Sequence, residues 1–322
     1  MTTPAPAADD TANDPATAAT RALAEVLAQA QALHADEPDR AADALLGTDL
    51  ALIAACPPSQ RDELLRLAEH VVLGHGDQGA RLAAWLAGME TLSANEAASL
   101  MACRRSHAAV QLAAGETPDL SDLPPFMQVL AHYNAALART RRRDLEGASE
   151  LLLAAQGLAD AQAQAQPDEP HTPRAAAALA NNVAGDLRYY HQRGDAPHAA
   201  LMMQAAQQAR HNWARAGGWL EVERADWQVA MCAASAGLGE LAVTHAQASL
   251  DACTSNQADA FEHCFAWQAM ALARLAAQDL PAARQARAAM AEQCELLAAV
   301  ADASYARQCL AEIDAQLARM AH

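Results

Sequence analysis

The chain has 322 residues, is 52% hydrophobic with only 4% aromatic residues, and carries a net charge of −17 with its histidines neutral. Much of the apolar fraction is alanine, the best helix former, and residues that favour strands are scarce, so the composition points to an all-α chain with thin, closely packed cores. All 22 basic residues are Arg; without Lys neither a P-loop nor a Schiff-base enzyme can be built, and the acidic balance disfavours nucleic acid and anionic membrane surfaces.

Residues 1–18 mix Ala, Thr, Pro and Asp. They have little to bury and read as a disordered tail. The start lacks a basic segment and an apolar run, so no signal peptide is expected. No apolar stretch approaches the ~20 residues of a membrane span. Seven Cys, an odd number without a CxxC, read as reduced thiols of a cytoplasmic protein.

Residues 19–115 read as an irregular helical region, with helices expected at Ala19–Ala35, Ala41–Ala55, Gln60–Leu73, Gln78–Met89 and Ala94–Ala114. Ser59 with Asp62, and Ser93 with Glu96, have the spacing of capping boxes. Gly74 to Gly79 reads GHGDQG and matches GxGxxG. The dinucleotide fingerprint needs a strand before it, and here a helical pattern precedes it, so the segment reads as a glycine-rich turn. A proline-rich loop at Gly115–Pro125 separates this region from the rest of the chain, and a second loop lies at Pro167–Pro173.

From Phe126 onward the chain reads as helix pairs. Second helices are expected after Asp144, Asp195, Leu238 and Asp279, at intervals of 51, 43 and 41 residues. The three Asp among these starts are good N-caps, and Pro197 and Pro281 suit a first helical turn. The Ala four residues on (Ala148, Ala199, Ala242, Ala283) is expected to face the first helix of its pair. Arg139, Arg141, Arg142 and Arg143 end a helix, where cations complement the dipole.

The clearest pair spans Ala175–Arg210, with its turn at Gly194-Asp195. Its Asn-Val-Ala-Gly, Tyr-Tyr and Gly-Asp segments, followed by small residues four apart, resemble one tetratricopeptide repeat. Such repeats are usually ~34 residues. The longer copies here are similar to the long-helix relatives of bacterial signalling proteins, over about Phe126–Leu297. The small residue of each first helix corresponds to Ala136, Gly185, Ala230 and Ala271, and the large residue four earlier survives as Trp267. The resemblance implies a right-handed superhelix, an α-solenoid of antiparallel helix pairs over residues 126–322, closed by a capping helix at Tyr305–Met320. It implies a non-enzymatic scaffold that holds a protein or peptide partner in a concave groove, or alternatively a sensor for a small ligand or short signalling peptide. In that register the groove would present Tyr133, Arg141, Asn182, Asp186, Tyr189 and Trp227. The family's two-Lys carboxylate clamp is absent.

No catalytic residue, cofactor or metal is expected. The twelve His form no HExxH. Cys232, His245, Cys253, His263 and Cys264 could supply soft ligands, but they read as ordinary packing between small-residue helices.

Overall fold

The computed structural model describes residues 15–190 and 194–320. Of the described residues 83% are helical, in fifteen α-helices and one π-helical segment, and there is no strand among them. No helix among them is long and apolar enough to cross a membrane. Most of the tail expected at 1–18 lies outside the described residues, but its last four residues are helical. The chain divides into two compact units, Met1–Leu151 and Leu152–His322.

The first unit contains α1 (Pro15–Leu33), α2 (Pro38–Leu46), α3 (Leu50–Ala55) and α4 (Pro58–Ala68), then a π-helical segment (Glu69–His75). It continues with α5 (Gly79–Ser93), α6 (Ala97–Ala114), α7 (Pro125–Arg141) and the start of α8 (Leu145–Ala165). The single helix expected at Ala41–Ala55 is broken at Gly47, and Asp49 caps the second piece by accepting from Ala51 N–H at 2.7 Å. Neither expected capping box forms. The N-cap of α4 is Pro57, so Ser59 already lies inside the helix. Ser93 is buried as the last residue of α5, and Glu96 precedes α6 without a side-chain cap.

The π segment packs against α2, α5 and α7. Its wider register is visible where Gly76 N–H donates to the Val71 carbonyl, five residues back, at 2.8 Å. Glu69 opens the segment and is fully buried. Its carboxylate accepts from Arg105 Nε (2.9 Å) and Ser106 Oγ (2.6 Å) on α6, and from Asn134 Nδ2 (2.5 Å) on α7.

The second unit contains the rest of α8, then α9 (His171–Tyr190), α10 (Ala196–Ala216), α11 (Trp219–Ser235), α12 (Gly239–Ser255), α13 (Ala260–Ala276), α14 (Leu280–Cys294) and α15 (Val300–Met320). The pairs α9–α10, α11–α12 and α13–α14 pack closely, and α9, α11, α13 and α15 touch in succession. The Asp caps form as expected. Asp195 accepts from His198 N–H (3.3 Å), Asp279 from Ala282 N–H (3.2 Å), and Asp144 from Gly147 N–H (3.1 Å).

Ala148, Ala242 and Ala283 are fully buried, as the repeated spacing predicts. Gly239, just after the uncapped Leu238, is needed for close approach: a Cβ there would lie 2.5 Å from the Ala277 backbone. Ala199 departs from the pattern. It is half-buried beside a depression of about 370 Å³. His198 takes the crossing instead, with Nε2 donating to the Leu187 carbonyl of α9 at 2.8 Å. The buried face of α10 runs through His198, Leu201, Met202, Ala205 and Ala209. The expected register of α10 is therefore one residue too far along.

This burial sets an expected order of stabilities. Ala205→Leu adds methylenes at a fully enclosed position and should cost ~1–3 kcal/mol. Ala199→Leu has space to fill and should cost less. Thermal melts of the two variants check the order.

Candidate functional site

The first helices of the pairs and α15 enclose a cleft of about 710 Å³ in the second unit. Arg188 contributes from α9, Met231 and Ser235 from α11, Gln268, Leu272 and Leu275 from α13, and Tyr305, Cys309, Glu312, Ile313, Gln316 and Arg319 from α15. On α15 Tyr305, Cys309, Glu312, Gln316 and Arg319 recur every three or four positions, which places them on one helical face. That spacing is legible in the sequence, but α15 reads there only as a cap.

The cleft mixes apolar walls with polar heads that have unmet bonding capacity. Gln268 is 5% exposed, and its Oε1 has no hydrogen-bond partner. The Arg188 guanidinium stands over the half-buried Trp227 ring, 5.5 Å from its centroid, as a cation–π pair. The Trp227 indole N–H is buried without a partner. Tyr305 is 55% exposed and available for contact. Burial pushes the Cys309 thiol up from its ordinary value, and burial also raises the Tyr305 hydroxyl. A nucleophilic cysteine needs the opposite shift.

The six residues expected to line one groove fall in two units. Tyr133 is 1% exposed and belongs to the core of the first unit, so it cannot contact a partner in an open groove. Arg141, also in the first unit, donates through Nη2 to His75 Nδ1 at 2.9 Å. Asn182, Asp186 and Tyr189 share α9 in the second unit, and Tyr189 is 72% exposed. None of these three lines the cleft. The face of α9 turned to α11 carries Ala184, whose carbonyl receives the Cys232 thiol (3.8 Å), and Gly185, where a Cβ would lie 3.5 Å from Gln228 Nε2. Arg188 continues that face. The expected stripe is thus one residue off, roughly 100° around the helix. Trp227 alone of the six sits at the edge of the cleft, through its contact with Arg188.

α11 also buries two carboxylates. Asp226 pairs with Arg210 of α10 and His245 of α12, each at 2.8 Å. Glu223 accepts from Ser249 Oγ at 2.6 Å. Burial pushes the Glu223 carboxyl up to about 7; the Ser249 bond opposes this, and the nearby Glu262 adds to it.

The soft-ligand set considered from sequence does not assemble. Cys264 donates to the Met290 carbonyl (3.8 Å), Cys232 to Ala184, and burial raises Cys232, Cys253 and Cys264 to about 12. Among the described residues the metal-ligand spacing occurs elsewhere, at His34, His70 and His75 in the first unit. Burial, then His34 and Arg66, lowers His70 to about 4. Burial, then His70 and Arg141, lowers His75 to about 3. No protein-family model matches this chain, and no curated protein matches it.

Glu223 makes stability pH-dependent. Its folded value lies above that of an unfolded glutamate, so the native state holds the proton more tightly. Stability from this group is complete at low pH and is lost as pH rises from about 4 to about 7. Glu223→Gln keeps the Ser249 bond and removes the titration. It should stabilise the protein by about 2–3 kcal/mol at pH 8 relative to wild type, with the advantage vanishing near pH 4. Chemical denaturation at the two pH values measures it.

Proposed function

We propose that the helix pairs of the second unit are tetratricopeptide-like repeats of a right-handed superhelix, and that the chain is a non-enzymatic interaction module holding a peptide segment of a partner protein. The observation that carries this reading is the cleft along α9, α11, α13 and α15, with the buried, unpartnered Gln268 carbonyl oxygen in its wall. An extended peptide offers a backbone N–H at every residue, which is the donor that Gln268 lacks. Arg188 and Arg319 offer planar forks for carboxylates or carbonyls. Small-ligand pockets are lined mainly by apolar and aromatic groups. This wall is richer in polar heads, which favours a peptide over a small molecule. The raised thiol of Cys309 and a lining without a carboxylate–histidine pair among the described residues favour binding over catalysis.

A photoreactive benzoylphenylalanine placed at Leu272, in the cleft, tests the reading in the full chain. It should crosslink to a discrete partner polypeptide in cell extract. The adduct should disappear in Arg188→Ala with Tyr305→Ala, a double variant expected to keep its helicity. Equal crosslinking from the exposed Leu153 of α8, or an adduct that survives the double substitution, would remove the cleft from consideration.

A further inference from the structure

The first unit gathers three histidines for which neither the fold nor the cleft supplies a role. His34 follows the last residue of α1, and His70 and His75 lie in the π segment. One ring nitrogen from each lies within 4.8 Å of the others, and His70 Nε2 and His75 Nε2 are 3.1 Å apart. The π register is what allows this. In an α-helix residues five apart point roughly 140° from each other; in a π-helix they come to nearly one face. Such segments cost hydrogen-bond quality and recur at functional sites.

The atoms behind the rings suit a metal. Ligating histidines commonly use the second ring nitrogen to bond a carbonyl or polar side chain, which fixes the tautomer. His34 Nδ1 donates to the Gln31 carbonyl at 2.6 Å, which leaves Nε2 with its lone pair. His70 bonds the Asn134 side chain, and Asn134 is held by the buried Glu69 carboxylate. Glu69 is in turn committed to Arg105 and Ser106, so it adds no oxygen ligand. The ligand set is three uncharged imidazoles. That chemistry suits zinc-like transition metals and disfavours magnesium and calcium.

We propose that His34, His70 and His75 form a three-histidine site for a divalent zinc-type metal ion, with a fourth position left to water, and that the Arg141 contact to His75 opposes metal loading. Zn–N bonds of about 2.0–2.1 Å set tetrahedral nitrogens about 3.3 Å apart. His70 and His75 already meet that spacing. The His34 nitrogen lies within 4.8 Å of the others, so it has at most about 1.5 Å to close, and it stands just beyond the end of α1. Arg141 Nη2 donates to His75 Nδ1, so the His75 proton sits on Nε2, toward His70. Metal at Nε2 moves that proton to Nδ1. There it would face a guanidinium N–H, donor against donor, and Arg141 must release. Arg141 is therefore a positioning residue that opposes loading.

The test is cobalt titration of the metal-stripped full chain, followed by competition with zinc. The expected result is one equivalent of Co²⁺ with the visible absorption of a tetrahedral site, displaced by one equivalent of Zn²⁺. His34→Gln and His75→Gln should each weaken binding by about 100-fold with circular dichroism unchanged. Arg141→Gln gives His75 Nδ1–H an acceptor and should tighten binding about tenfold. If His75→Gln loses helicity, His34→Gln decides, because His34 lies outside the helices. No tetrahedral cobalt spectrum in the wild type, or affinity unchanged in a folded His34→Gln, overturns the site. Unchanged or weaker binding in Arg141→Gln overturns the part assigned to Arg141.

Discussion

One buried carboxylate organises the first unit. Glu69 is removed from water, and an ion in that position persists only if its oxygens are fully occupied. Arg105, Ser106 and Asn134 do this, and they come from two different helices. The anion thereby ties the π segment to α6 and α7. Removing one partner of such a set typically costs about 3–5 kcal/mol, because the remaining charge stays buried. The position of Glu69 at the first residue of the π segment also locates the widened turn. His70 is placed by the same constraint, through Asn134.

The second unit solves a different problem. Its helices meet largely through alanine, which gives each contact little area and little selectivity. Many fully buried small positions supply the packing. Polar pairs add direction: Asp226 reaches both α10 and α12, and Arg224 of α11 forks onto Glu262 of α13. A carboxylate that must find its cation cannot slide by one turn as an alanine stripe can. The raised Glu223 is the consequence of burying another acid in that layer.

Legibility from sequence follows contrast. The Asp caps at Asp144, Asp195 and Asp279 are readable because a cap is local chemistry: one side chain and the N–H groups of the next turn. The boxes at Ser59 and Ser93 are not, because Pro58 starts α4 one residue early and Ser93 is still inside α5. The registers of α9 and α10 slip by one residue because alanines occupy buried and exposed positions alike, which leaves no apolar stripe to read. Tyr133 resembles a groove aromatic because a tyrosine carries both a core body and a polar tip. The histidine cluster is hidden for a sharper reason. Spacings of five and thirty-six match no α-helical metal pattern, and the π turn that joins His70 to His75 leaves no signature in a periodicity built on 3.6.

The absence of Lys then bears on what such a cluster can do. All 22 of the Lys-or-Arg positions in this chain are Arg, whose guanidinium is planar and charged at any accessible pH. A lysine beside His75 could shed its proton and stay in place as a neutral amine when a divalent ion arrived. Arg141 cannot. Its charge must be carried away from the incoming ion, and the way out is toward solvent, where the side chain is already part-exposed. The next residue shows where charge is accepted on that side: Arg142 pairs with Asp77, just past the π segment, at 3.0 Å. In the proposed site, loading the histidines and moving Arg141 would be one electrostatic event. A displacement at the C-terminal end of α7 would be its outward sign.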